Sequence, residues 1–137
     1  MGDYNDVRHG RHCVFKLHVH LVFVAKYRRK VFDSKAIEAL RSIFGKICGD
    51  FQAQLVEMDG EADNVHLLVE YPPKVPVSSL VNSLKGVSGR LLRRQRQDLG
   101  KRYCNSVLWS PSYFAASCGG APISIIRQYI EQQRTPL

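Results

Sequence analysis

The first residues that could do chemistry lie in an alternating stretch, Asp63-Asn64-Val65-His66-Leu67-Leu68-Val69-Glu70. Successive side chains of a strand point to opposite faces. Val65, Leu67 and Val69 therefore share one face, and Asn64 and His66 share the other. A lone histidine on a strand is ordinarily a satisfied core or edge residue. A histidine with a second polar group two positions away, inside an apolar run, reads instead as half of a site. A second pair sits near the C-terminus: Tyr129 and Gln133 are four residues apart and fall on one face of a helix expected over 122–134. A helical tyrosine beside a glutamine is more often a packing residue with its hydroxyl hydrogen-bonded; catalysis is the sharper alternative.

The elements that must position these residues can be read from periodicity. Residues 13–25 alternate as a strand, with Phe15, Leu17, Val19, Leu21 and Phe23 on one face and Lys16, His18, His20, Val22 and Val24 on the other. Residues 34–48 read as a helix capped by Asp33 or Ser34, with Ile37, Leu40, Phe44 and Ile47 as its core stripe and Gly49 as its stop. Strands over 51–58 and 64–71 are joined closely enough to form a hairpin. The longest helix is expected over 77–97, started by Ser78 or Ser79, with an apolar face of Leu80, Val81, Leu84, Val87, Leu91 and Leu92. Residues 107–118 read as an edge strand, because Pro111 cannot donate to a ladder. Gly119-Gly120 breaks the chain before the last helix, whose first turn suits Pro122.

The order is strand, helix, strand, strand, helix, strand, helix. Its first six elements match the ferredoxin-like arrangement, also used by RRM domains: an α+β fold with two helices on one face of a four-stranded antiparallel sheet. The last helix is an addition. The expected organisation is a flexible basic arm over 1–12 and a single domain over 13–137.

With 20 Lys and Arg against 12 Asp and Glu, the net charge is +8 and the pI about 9.6, which makes nucleic acid a candidate partner. The placement of the charges sharpens this. Lys26-Tyr27-Arg28-Arg29-Lys30 surrounds one aromatic ring with cations, a composition suited to phosphates and a stacked base. On the long helix Lys85, Arg90, Arg93 and Arg96 project away from the apolar stripe, with Arg94 near its border. Lys85, Arg90, Arg93 and Arg94 are therefore expected to contact DNA together with the 26–30 loop. No apolar run approaches the roughly 20 residues of a membrane helix. No basic segment with an apolar core and a cleavage site opens the chain, so the expected location is the cytoplasm. The four cysteines, Cys13, Cys48, Cys104 and Cys118, form no C-x-x-C pair and read as reduced thiols rather than a zinc site.

The chain resembles the small single-strand DNA transposases of insertion sequences, single-tyrosine members of the group named for a histidine–hydrophobic–histidine motif. The resemblance runs from about residue 13 to 134. It is carried by His20-Leu21-Val22-Phe23 with Lys26-Tyr27-Arg28-Arg29, by Asp63-Asn64-Val65-His66-Leu67-Leu68-Val69, and by Ser83-Leu84-Lys85-Gly86. It ends with Leu108-Trp109-Ser110-Pro111-Ser112-Tyr113-Phe114 and Tyr129-Ile130-Glu131-Gln132-Gln133. The resemblance implies that Tyr129 is a nucleophile that attacks a phosphodiester, leaving a 5′-phosphotyrosine and a free 3′-hydroxyl for later strand transfer. It implies that His66 and Gln133 bind a divalent metal ion, Mg2+ or Mn2+. It also implies single-stranded DNA with hairpins at element ends as the substrate, and a homodimer in which the C-terminal helix can be exchanged between subunits.

One position departs from the pattern: Asn64 stands where the family has its first histidine. An amide oxygen suits a hard divalent ion, so Asn64 is carried as a metal ligand. The alternative is a catalytically impaired or purely nucleic-acid-binding ferredoxin-like protein. An RRM-type reader would show exposed aromatics on its central strands, where this chain has Val, Leu, His and Asn. A metal nuclease that uses water as nucleophile is a third reading.

Overall fold

The computed structural model describes residues 7–10, 12–102, 107–118 and 123–125. Strands β1 (Arg8–His9) and β2 (Val14–Phe15) form a small antiparallel hairpin, so part of the basic N-terminal arm is a paired strand. The long first strand of the sequence pattern breaks after Phe15 and resumes as β3 (His18–Val24), which is buried along its whole length. A single 3-10 turn, Lys26–Arg28, follows at once and holds Tyr27 and Arg28 at positive φ, 61° and 51°.

Helix α1 (Ser34–Asp50) starts where Asp33 Oδ1 accepts the Ala36 N–H at 2.8 Å. It runs through Gly49 rather than stopping there. The reversal comes at Phe51, whose N–H donates to Cys48 and Gly49, and at Gln52, with φ 59°. Strand β4 (Gln54–Gly60) is displaced toward the C-terminus from the expected 51–58 for this reason. Its hairpin partner β5 (Asn64–Glu70) falls within one residue of the expected strand. Helix α2 (Val77–Gln95) begins after Pro76 with no side-chain cap, so neither Ser78 nor Ser79 serves as one. The expected single helix to residue 97 breaks at Arg96, and α3 (Gln97–Arg102) continues. Strand β6 (Phe114–Ser117) is much shorter than the expected 107–118, because Trp109 makes only an isolated bridge to Ala25 before Pro111. The helix expected over 122–134 is described only at 123–125, which is helical. Tyr129, Gln133 and Gly119-Gly120 lie outside the described residues.

The four-stranded sheet has the order β4-β5-β3-β6 with every pair antiparallel, the ferredoxin-like topology expected from the order of elements. Its α-facing side joins Leu21, Phe23, Val65, Leu67 and Val69 to Leu40, Phe44, Leu80 and Leu84 of α1 and α2 in one core. Trp109 is buried in that core against Phe23, Phe32 and Phe44, and its indole N–H donates to Ser88 Oγ of α2 at 2.9 Å. With both helices on one face, the other face is left to the polar half of the alternation. No helix among the described residues is long and apolar enough to cross a membrane.

Candidate functional site

The alternation that buries Val65 and Leu67 under the helices turns Asn64 and His66 to the opposite face of β5. Register then supplies a neighbour that spacing alone does not. His66 pairs with Val22 across β3, and His20 lies two residues from Val22 on the same face. That diagonal is within reach of long and aromatic side chains. The two rings stack, with centroids 5.2 Å apart and planes 26° apart, and His20 Nε2 lies 3.1 Å from His66 Nδ1 in a buried hydrogen bond. Phe114 from β6 meets His20 in a T-shaped contact, with ring centroids 6.2 Å apart. Burial, and then the neighbouring His66, pushes the His20 imidazolium down to about 4, so the ring is neutral at physiological pH.

At the near end of β5, the Asn64 amide is held by its donor side. Nδ2 donates to Asp63 Oδ1 at 2.7 Å and to Glu61 Oε2 at 3.4 Å. Carboxylate oxygens only accept, so the orientation of the amide is fixed by chemistry. The other end, Oδ1, is buried and has no hydrogen-bond partner among the described residues. An orphaned buried carbonyl oxygen on the same face as an imidazole fits a hard divalent cation. Among the described residues no three His, Cys, Asp or Glu side chains form a metal cluster by themselves. The candidate donor set is therefore the amide oxygen of Asn64, the imidazole of His66 and a further group, for which the sequence offers Gln133.

The far end of β5 is built differently. Glu70 stands opposite His18, and its carboxylate meets His18 Nε2 at 3.5 Å and Arg8 Nη1 at 3.1 Å. Desolvation lowers the His18 pKa against the opposing pull of Glu70. A cleft of about 530 Å3 lined by Arg8, His9, His12, Phe15, Gln52 and Lys74 opens at this end, away from Asn64.

The start of the C-terminal segment reaches the open face. Glu57 of β4, next to the bulge at Leu55/Glu57, accepts the backbone N–H of the buried Ile123 at 3.1 Å. Thus 123–125 is tied to the sheet face that carries His66.

The basic residues divide into two kinds. Tyr27 is 74% exposed, with Lys26 Nζ at 5.4 Å and Arg29 Cζ at 5.1 Å from its ring centroid. Arg28, Lys30, Arg90 and Arg94 are exposed, and Lys26, Arg29 and Arg93 are half-buried. Lys85 makes contacts within the protein that its helical position does not suggest. Its amine turns back to donate to the carbonyls of Ser110 at 2.6 Å and Ser112 at 3.4 Å, and burial lowers its pKa. Arg96, also read as part of the basic face, is a clamp: its guanidinium binds both oxygens of Asp33 at 2.8 and 2.7 Å and also grips Asp98.

His20 is the residue that sequence reasoning missed as part of the site. The signal was its place on the non-core face of its strand, two positions from His18, but only the register with β5 brings it to His66.

A ferredoxin-like sheet with imidazole and amide donors gathered on its open face, flanked by a basic, aromatic turn, defines a class of nucleic-acid-processing domain. Within that class the chain belongs to the IS200-like transposase family, whose sequence profile matches residues 13–133. It is 36% identical over 134 residues to the transposase for insertion sequence element IS200 of Salmonella typhimurium, covering 97% of this chain and 85% of that one. It is 29% identical over 128 residues to the ISDra2 transposase TnpA of Deinococcus radiodurans, covering 93% and 91%. In three dimensions it is similar to the crystal structure of a candidate transposase from Deinococcus radiodurans R1, with TM-score 0.78, 32% identity, and 92% and 97% of the chains covered. A REP-associated tyrosine transposase bound to a REP hairpin shares the fold at TM-score 0.54 and 12% identity, covering 93% and 73%.

Proposed function

We propose that this protein is a metal-dependent single-strand DNA transposase in which Tyr129 is the nucleophile and His66, Asn64 and Gln133 hold a Mg2+ or Mn2+ ion. The observation that carries the reading is the orphaned Oδ1 of Asn64 beside His66, on the sheet face to which the start of the C-terminal segment is tied. When bound, the ion supplies Lewis-acid stabilisation for charge that builds on the non-bridging oxygens of a phosphodiester under attack.

The protein's own groups do the rest. A tyrosine hydroxyl ordinarily keeps its proton to about pH 10, so Tyr129 gives up that proton as its oxygen bonds to phosphorus. The bond from phosphorus to the 3′-oxygen breaks, and that oxygen leaves as a hydroxyl, taking up through solvent a proton equivalent to the one Tyr129 releases. The phosphotyrosine retains an ester, so a 3′-hydroxyl can attack it, expel Tyr129 and join strands without ATP. Tyr27 offers a base an exposed ring, and Arg28, Lys30, Arg90 and Arg94 offer phosphates exposed cations. A DNA hairpin at the element's end is the expected substrate, in keeping with the hairpin bound by the REP-associated neighbour. A homodimer, with the C-terminal segment docked within one subunit or exchanged, completes the proposal.

The test is incubation with single-stranded DNA carrying an element end, plus Mg2+ or Mn2+, followed by a denaturing gel. A covalent protein–DNA adduct that disappears in Tyr129→Phe is expected. Cleavage without an adduct would instead mean a hydrolytic nuclease. Binding with neither cleavage nor adduct would leave a nucleic-acid-binding protein.

A further inference from the structure

We propose that His20 is the positioning residue for His66: it accepts the Nδ1 proton of His66 and so directs the Nε2 lone pair of that ring to the metal. This rests on the reading of His66 as a metal ligand. The two nitrogens of a neutral imidazole are never equivalent, and the one that ligates must be the one without the proton. His66 Nδ1 is engaged by His20 Nε2 at 3.1 Å, which leaves Nε2 as the nitrogen not committed to that bond. A His66 that ligates through Nε2 holds its proton on Nδ1, and His20 Nε2 is the acceptor that proton meets. Ligating histidines usually donate their second N–H to a carboxylate or a carbonyl. Here that place is taken by another imidazole.

The geometry suits an aiming device. His20 is completely buried. Its ring is stacked on His66 at 5.2 Å, edged by Phe114 at 6.2 Å, and stands opposite Ala116 of β6, whose small side chain leaves the ring its place. A buried partner held by these contacts fixes the ring it bonds. The bond also has two possible directions. With His20 as donor, the proton of His66 sits on Nε2 and that ring cannot ligate. With His20 as acceptor it can. The His20 Nδ1 is buried and has no hydrogen-bond partner among the described residues; with His20 as acceptor, its own proton sits on that nitrogen.

The test uses the full chain and Mn2+ alone, with affinity read by calorimetry. His20→Phe keeps the packing and removes the acceptor; His20→Gln keeps an acceptor oxygen. We expect His20→Phe to weaken Mn2+ binding by about 10- to 100-fold, with an unchanged melting curve in EDTA, and His20→Gln to recover most of the loss. A folded His20→Phe that binds Mn2+ like the unsubstituted protein overturns the proposal, as does a His20→Gln no better than His20→Phe. Should His20→Phe not fold, the unsubstituted protein decides: with Mg2+ bound, ring 15N shifts must put the His66 proton on Nδ1, and a proton on Nε2 overturns the assignment. His66→Ala separates the two levels. If it abolishes Mn2+ binding while His20→Phe does not weaken it, only the role of His20 fails; if it binds Mn2+ unchanged, the metal reading of His66 fails as well.

Discussion

An asparagine amide has one end that donates and one that accepts, so its neighbours decide which end meets a ligand. At Asn64 that decision belongs to Asp63 and Glu61, both of which take the NH2 end and leave Oδ1 buried, with no hydrogen-bond partner among the described residues. Removing the 2.7 Å contact with Asp63→Ala should let the amide rotate and should weaken Mg2+ and Mn2+ binding, read by calorimetry with each metal alone. Asn64→His restores an imidazole. It should keep Mn2+ binding and shift preference toward Zn2+ and Co2+, which favour nitrogen donors more than Mg2+ does. An unchanged metal order would remove Asn64 from the ligand set. The buried histidines give a second prediction, for the metal-free protein. His20 titrates near 4 rather than the ordinary 6.5, and His18 is lowered too, so the unfolded chain binds protons that the folded one refuses. Stability from these rings is therefore present above the unfolded pKa and is lost as pH falls from about 6.5 toward 4. For His20 alone the loss from about pH 7.5 to about pH 5 is on the order of 2 kcal/mol, measurable by urea denaturation. Flat stability over that range would mean the ring is not buried as described.

Elements, rather than single residues, decide where such groups end up. The start of α1 is set by Asp33, which caps Ala36 with Oδ1 while Arg96 from the far end of α2 binds both of its oxygens. One carboxylate thus joins the two helices that cover the sheet. Asp33→Ala should lower stability by about 1 kcal/mol from the lost cap alone, whereas Asp33→Ser keeps a cap and loses the Arg96 pair. If the two variants unfold at the same urea concentration, the cap contributes nothing. This level was only partly legible in the sequence. Strand β5 was, because Val65, Leu67 and Val69 alternate with Asn64 and His66 over its whole length. The Asp33 cap was as well. The end of α1 was not: Gly49 permits a stop without compelling one, and the backbone reversal falls at Gln52 instead. The break before β6 reflects Trp109, which packs into the aromatic core and takes its neighbours out of the sheet. His20 was missed because a residue's cross-strand partner depends on a register set by pairing between distant segments, which spacing within one strand does not carry. The internal contact of Lys85 was illegible for another reason. A helical wheel places an α-carbon, while a long stem can bend back and bury its amine against nearby carbonyls.

Across the whole molecule the two basic regions are joined through one short segment. Leu108 and Trp109 lie between them: the Leu108 carbonyl accepts the Lys26 N–H at 2.8 Å, and the Trp109 indole donates to Ser88 on α2. The turn that presents Tyr27 and Arg28 is thereby held against the helix that carries Arg90 and Arg94. Charge and stacking can be told apart by salt. Each phosphate contact on a single strand contributes about 0.7 to the slope of log affinity against log salt concentration. Stacking of a base on an aromatic ring contributes about 1–3 kcal/mol without counterion release. Arg28→Ala or Arg94→Ala should therefore flatten the salt slope by about 0.7 if each meets one phosphate. Tyr27→Ala should weaken binding to single-stranded DNA at every salt concentration and leave the slope unchanged. Lys85→Ala provides the contrast. Its amine is already committed to Ser110 and Ser112, so it should lower the melting temperature and leave the salt slope where it was. Fluorescence anisotropy of a labelled single strand over a salt series reads all of these, and a Lys85→Ala slope reduced as much as that of Arg28→Ala would return Lys85 to the DNA-contacting set.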